Sequence, residues 1–352
     1  KPIEEVKREL GLTEVVKLAS NENPLGPSPK AVEAVRLAAE QMHLYPDASA
    51  FDLRQAIAHR YGVKPAQVLL GNGSDELIHL LGLVFLGNPD DEMIVGEPSF
   101  VRYDAAAQIA DCRLIKVPLD AELKHDTAAM AERIGPDTKL VWIANPNNPT
   151  GTVVDRAAVQ HILEKLPQGA VLVLDEAYFE FAEGAPGYCS ALELIAEGKP
   201  VIGLRTFSKA YGLAGVRIGF GFAPEAVVDA IDRAREPFNC NSLAQAAAIA
   251  ALDDRDHLAR TVELNARGRE TLKQAFLRLG AEPVESYANF VCADLGRPAQ
   301  PVFQELLKQG IIVRSGEKLG LPTFLRVSIG TDLEIDRFVR ALERVVKETS
   351  PV

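Results

Sequence analysis

Cysteine is scarce: four residues, Cys112, Cys189, Cys240 and Cys292, in a chain of 352. They are far apart, with no CxxC pair and no Cys/His cluster, which argues against a disulfide framework or a zinc site and for reduced, mostly buried thiols. Long apolar runs are missing as well. The most apolar stretch, Leu77 to Leu86, is interrupted by His79 and is too short to cross a bilayer. The opening Lys1-Pro2-Ile3-Glu4-Glu5 has no apolar core of a signal peptide. A soluble, cytoplasmic protein without a membrane partner is expected. Positive charge is also in short supply: Lys+Arg 38 against Asp+Glu 49 gives a net charge of -11. A broad nucleic-acid face needs concentrated basic charge and is not expected, although a local anion pocket stays open. No repeat, low-complexity tract or coiled coil stands out, so a scaffolding role has no support. What remains is the ordinary globular balance, 47% hydrophobic and 25% charged, in a chain long enough for two domains or one large one.

The pattern that recurs is alternation. Short β-rich runs lie at Gln67–Leu70, Glu92–Val95, Arg113–Val117, Leu140–Ile143, Val171–Leu174 and Val201–Leu204. Between them, Pro29–Gln41, Asp52–Tyr61, Ser74–Phe85, Asp155–Leu166 and Glu225–Arg235 carry apolar residues at three- and four-residue spacing. Strands alternating with helices predict an α/β fold, with a mostly parallel central sheet covered by helices on both faces. The last third reads differently. Two helices, Ser242–Leu252 and His257–Leu279, precede short strands at Phe290–Ala293, Ile311–Val313 and Phe324–Ser328 and a closing helix over Asp332–Val346. This predicts a smaller α+β C-terminal domain. The expected division is a large domain over residues 46–235, with an N-terminal arm (1–45) joined to residues 236–352 and a boundary near Glu236-Pro237.

Ligands of open α/β sheets bind at the carboxyl ends of the strands, so the polar residues following each run are the candidates. After the first run comes Gly71-Asn72-Gly73-Ser74, where glycines permit a sharp turn, Ser74 caps a helix, and exposed N–H groups suit an anion. Taken alone, Gly-Xaa-Gly-Ser is a weak signal that an ordinary βα turn explains better. It lacks the full GxGxxG fingerprint and the P-loop lysine, against a nicotinamide or ATP site. Asn145-Pro146-Asn147-Asn148-Pro149-Thr150-Gly151 places two prolines in a polar turn, a rigid loop that aims Asn148 at a ligand. Asp175 ends a buried strand and needs a partner, whether a ligand or a helix end or salt bridge, with Tyr178 three residues on. Lys209 sits among Phe207, Ala210, Tyr211 and Leu213. A lysine in apolar surroundings has a lowered pKa and becomes a nucleophilic amine. Arg217, eight residues later, has the planar fork that suits a phosphate. Amine, carboxylate, Tyr/Asn pair and phosphate cradle are together what pyridoxal phosphate requires. The six histidines (His43, His59, His79, His125, His161, His257) are scattered and receive no catalytic role, and no metal is expected.

From Leu18-Ala19-Ser20-Asn21-Glu22-Asn23-Pro24 to Leu325-Arg326-Val327-Ser328 the motif order resembles the fold-type I pyridoxal-phosphate aminotransferases of class II. Asn21 to Pro29, Tyr45-Pro46-Asp47 and Arg326 make it most similar to the branch that transaminates histidinol phosphate in histidine biosynthesis. The resemblance implies that Lys209 forms the Schiff base with pyridoxal 5'-phosphate and shuttles a proton. Asp175 would pair with the ring nitrogen, and Asn148 and Tyr178 with the ring oxygen. Gly73, Ser74, Thr206, Ser208 and Arg217 would hold the phosphate. Phe100, where many relatives carry tyrosine, would stack on the ring. Tyr45 would reach the cofactor of a neighbouring subunit, making a homodimer with shared sites. Asn23, Arg314 and Arg326 would bind the substrate anions of histidinol phosphate and of 2-oxoglutarate or glutamate. Two arginines fit a phosphorylated substrate better than a simple amino acid, which needs one carboxylate clamp. An aromatic amino-acid aminotransferase and a threonine-phosphate decarboxylase on the same fold stay open, as does a non-catalytic protein that binds a phosphorylated metabolite.

Overall fold

In the computed structural model, residues 3–348 are described; Lys1 and Pro2 of the opening segment, and residues 349–352 of the expected small domain, lie outside them. A seven-stranded sheet forms the centre. Its order across the sheet is Val68–Gly71, Gly219–Phe222, Val201–Thr206, Val171–Asp175, Thr138–Ala144, Glu92–Glu97 and Arg113–Pro118. All neighbours run parallel except Gly219–Phe222, which is antiparallel to both strands beside it. Val171–Asp175 and Val201–Thr206 are buried at every position, as continuous apolar runs between two helical layers must be. One layer packs Leu77, Leu81 and Tyr103 against one face, and the other packs Leu53, Val159 and Leu194 against the opposite face. Gly219–Phe222 escapes the sequence reading because Gly-Phe-Gly-Phe lacks β-branched residues. Glycine is required at its first position, since a Cβ on Gly219 would come 2.3 Å from the Ser74 amide nitrogen.

The second unit is a four-stranded antiparallel sheet in the order Arg314–Ser315, Phe324–Ser328, Phe290–Asp294, Glu282–Pro283. Helices Arg255–Arg278, Ala299–Lys308 and Asp332–Glu348 cover it through Leu272, Phe276, Val302, Leu306 and Phe338. Beyond Glu236-Pro237, helix Ser242–Asp253 still packs in the large core, and Leu258 after it also touches that core. Ala244, Ala247, Ala248 and Ala251 of the Ser242–Asp253 helix share one core with Leu53, Val68 and Phe220 of the large unit. An alanine-rich helix fits either core, so its sequence does not say which it joins. The arm divides too. Val16 and Leu18 enter the small core, where Val16–Lys17 pairs in parallel with Ile311–Ile312, while Ala31 joins the large core. We propose the two packing units as residues 29–253, and residues 16–18 with 254–348. Among the described residues no helix is long and apolar enough to cross a membrane.

Candidate active site

Chain direction reverses across the sheet between Glu92–Glu97 and Thr138–Ala144, so the loops leaving these two strands diverge and open a crevice. A cavity of about 400 Å³ lies there. Every strand end singled out above contributes: Ser74, Phe100, Asn148, Asp175, Tyr178, Thr206, Ser208, Lys209 and Arg217 line it, with Arg314 and Arg326 reaching in from the small unit. The Asn145–Gly151 loop is fixed from beneath. Asn147 is fully buried and bonds Ser99 Oγ at 2.8 Å, Thr150 Oγ1 at 3.0 Å and the Pro98 carbonyl at 3.2 Å. The prolines and these bonds leave Asn148 facing the cavity, where its Oδ1 accepts from Arg326 Nη1.

At the base, Asp175 is 4% exposed. Among the described residues its oxygens accept only neutral donors, the Tyr103 hydroxyl at 2.7 Å and the Ala177 amide at 3.1 Å. Burial pushes the carboxyl up to about 6 despite those two donors, and the charges of Asp75 and Glu176 add to the rise. A cation brought into the cavity beside it would complete the pairing. Lys209 lies in the wall, its Nζ donating to the Ser20 carbonyl at 3.1 Å. Burial lowers this amine to about 8, Arg326 and Arg217 push the same way, and Glu22 and Asp75 oppose them. An appreciable neutral, nucleophilic fraction therefore exists near neutral pH. Tyr178 is buried edge-on to Phe290, and its hydroxyl accepts from Asn21 Nδ2 at 2.9 Å.

The two ends of the cavity are built for anions. At one, Gly73 (φ 81°) is the N-cap of helix Ser74–Phe85, so Ser74 is the first helical residue and not the capping residue expected from sequence. A Cβ on Gly73 would come 2.4 Å from Arg217 Nη2, so a glycine there is what lets the guanidinium lie against the helix start. Thr206 Oγ1 holds the Ser208 amide at 3.0 Å. Helix N–H groups, two hydroxyls and an arginine make a phosphate cup. At the other end, Arg314 and Arg326 face each other across adjacent antiparallel strands. Arg326 is buried, donates to the Ala19 carbonyl at 2.8 Å, and leaves Nε without a partner.

Two expected residues lie elsewhere. Asn23 does not line the cavity; its Nδ2 ties the Ala210 carbonyl (2.9 Å) to Thr261 Oγ1 (3.1 Å), while Asn21, two residues earlier, takes the cavity position. Asn21 has φ 57° and is held by Ser328 and Asn289. Nothing local in the sequence separates the two asparagines. Tyr45 stands on the surface, 83% exposed and stacked on Phe238 at 4.8 Å. Tyr103 escaped sequence reading altogether, because its contact with Asp175 spans 72 positions. None of the six histidines lines the cavity.

The sequence pattern of the family described as aminotransferase class I and II matches residues 13–342. The chain belongs to this family. Among similar proteins, the histidinol-phosphate aminotransferase of Moorella thermoacetica is 47% identical over 98% of this chain and 89% of its own length. Histidinol-phosphate aminotransferase 2 of Methylococcus capsulatus is likewise 47% identical, over 98% of this chain and 94% of its own. Of the solved structures, histidinol-phosphate aminotransferase from Sinorhizobium meliloti, in complex with pyridoxal-5'-phosphate, superposes with a TM-score of 0.91 at 31% identity, over 99% of this chain and 95% of that one. As an aminotransferase fold of type I, the chain has the mostly parallel sheet that its alternating pattern implied and the smaller α+β unit read from its last third.

Proposed function

We propose that this aminotransferase uses pyridoxal 5'-phosphate to exchange the amino group of L-histidinol phosphate with 2-oxoglutarate, giving imidazole acetol phosphate and glutamate, in either direction. One observation carries the reading: a single cavity holds a buried carboxylate lacking a cation, an amine of lowered pKa and an anion cup at each end. The cup of Ser74, Thr206, Ser208 and Arg217, with Gly73 behind it, and the uncompensated Asp175 are what a phosphorylated pyridinium needs, so the residues fit the cofactor. When bound, pyridoxal phosphate supplies an aldehyde that bonds amines and a ring that accepts an electron pair.

Asp175 would meet the ring nitrogen and keep its proton there. Asn148 Nδ2 and the Tyr178 hydroxyl would hold the ring oxygen, and Phe100 would cover a ring face. Gly73 and Ser74 N–H groups, Thr206, Ser208 and Arg217 would hold the phosphate. Lys209 Nζ would take the proton from the substrate α-carbon and hold it for return. Arg314 and Arg326 take the substrate phosphate in one half-reaction and a carboxylate of the dicarboxylic acid in the other. Kinetics should be ping-pong, because one substrate leaves before the other enters. The cosubstrates are free metabolites, and the reading places the reaction in the cytoplasm.

The working unit in this reading is a homodimer. Leu37, Met42, Leu44, Tyr45 and Phe51 are large apolar residues left exposed over residues 37–51. A second copy would cover them, and Tyr45 would reach its cofactor site. A substrate panel tests the reaction. Histidinol phosphate should exceed phenylalanine and threonine phosphate in kcat/KM with 2-oxoglutarate as acceptor. Preference for phenylalanine, or release of carbon dioxide from threonine phosphate, would overturn it. A colourless protein that binds phosphorylated metabolites without turnover would move it out of the enzymes.

A further inference from the structure

Tyr103 has an unusual setting. Its ring is stacked on Trp142 (centroids 4.7 Å, 27°) and meets the edge of Phe100 (5.8 Å, 86°). It is 1% exposed, and its hydroxyl bonds Asp175 Oδ2 at 2.7 Å. Phenylalanine would fill the same space. A buried hydroxyl costs free energy unless it is bonded, so its presence is explained at the carboxylate and not in the packing. An ionised carboxylate only accepts, which fixes Tyr103 as the donor. The backbone adds a link: the Tyr103 amide bonds the Phe100 carbonyl at 3.2 Å, so one turn of chain carries both the ring that covers the cavity and the hydroxyl that grips Asp175.

We infer that Tyr103 is a positioning residue for Asp175: its hydroxyl fixes one carboxylate oxygen and so holds the group oriented toward the cavity. This rests on the reading that Asp175 meets the pyridine nitrogen of pyridoxal phosphate. Removing the hydroxyl leaves the ionised carboxylate with one donor fewer, which weakens the charged form and moves its protonation to higher pH.

The test is titration of cofactor-free protein with pyridoxal phosphate, followed by absorbance between pH 5 and pH 9, for wild type, Tyr103→Phe, Asp175→Asn and the double variant. Tyr103→Phe should weaken cofactor binding about tenfold and move the acid limb of the binding profile up by about one pH unit. In the Asp175→Asn background the same change should cost less than about twofold, because the residue acts through Asp175. The double variant also keeps the test open should the unpaired carboxylate unfold the single one. An unmoved affinity and limb in Tyr103→Phe, or an equal loss in both backgrounds, overturns the inference. Failure of the wild-type protein to take up pyridoxal phosphate would sink the proposed function instead.

Discussion

Two adjacent carboxylates, Asp175 and Glu176, end the same strand in opposite circumstances. Glu176 points behind the sheet end, where it is completely satisfied: Arg205 Nε lies 3.0 Å from Oε2, while the Ala191 amide and the Tyr188 hydroxyl bond Oε1 at 2.9 Å and 3.2 Å. Arg205 is wholly buried over the Phe179 ring and also bonds Ser190 Oγ at 3.0 Å. Asp175 faces the cavity with neutral donors only, and its pKa rises to about 6. Both groups are buried, yet only one has its countercharge supplied by the chain. Behind the strands the chain supplies Glu176 with its cation, although Arg205 Nη1 has no partner among the described residues, and in front that role is left to a ligand.

That contrast can be broken from either side. The largest expected effect is behind the sheet. Arg205→Met leaves Glu176 buried without its cation and should cost about 3–5 kcal/mol of stability, read by denaturant unfolding of cofactor-free protein. In front, Asp175→Asn should leave that unfolding midpoint unchanged or higher, yet lower kcat by about 10²–10³-fold. Equal stability losses from the two variants would erase the distinction.

The pH dependence of cofactor-free stability sharpens it. Asp175 titrates near 6 when folded against 3.8 in the reference state. The folded chain therefore binds the extra proton between those values, and this contribution to stability, full below 3.8, is lost as pH rises through 6. Lys209, at about 8 against 10.5, works in the other direction. The unfolded chain binds the extra proton in that window, so stability rises as pH increases from 8 to 10.5. Asp175→Asn should flatten the acid segment and Lys209→Met the alkaline one, each without altering the other, as read from melting temperatures across pH. Smallest of all should be Asn23→Ala. It removes one bond from the arm to Ala210 of the large unit and one to Thr261 of the small unit, costing about 1 kcal/mol, with KM for either substrate changed less than about twofold.

Much of the front region was legible because strand ends announce themselves. Asp175 follows a run of apolar residues, Lys209 sits among Phe207, Ala210 and Tyr211 just past another strand, and the Asn-Pro loop and Gly-Asn-Gly-Ser turn punctuate two more. Helix Ser74–Phe85 and strand Phe324–Ser328 fall where their periodicity puts them. What the sequence hid depends on contacts distant along the chain. Asn21 is distinguished from Asn23 by Ser328, some 307 positions away, and Tyr103 is joined to Asp175 only by the fold. The helix Ser242–Asp253 could be placed in its core only by seeing which alanines touch which neighbours.

The account stands or falls on the amine in the cavity wall. Pyridoxal phosphate added to cofactor-free protein, reduced with borohydride and mapped by peptide mass should label Lys209 and leave the exposed Lys318 essentially unmarked. Label spread over surface lysines, with Lys209 unmodified, would contradict it.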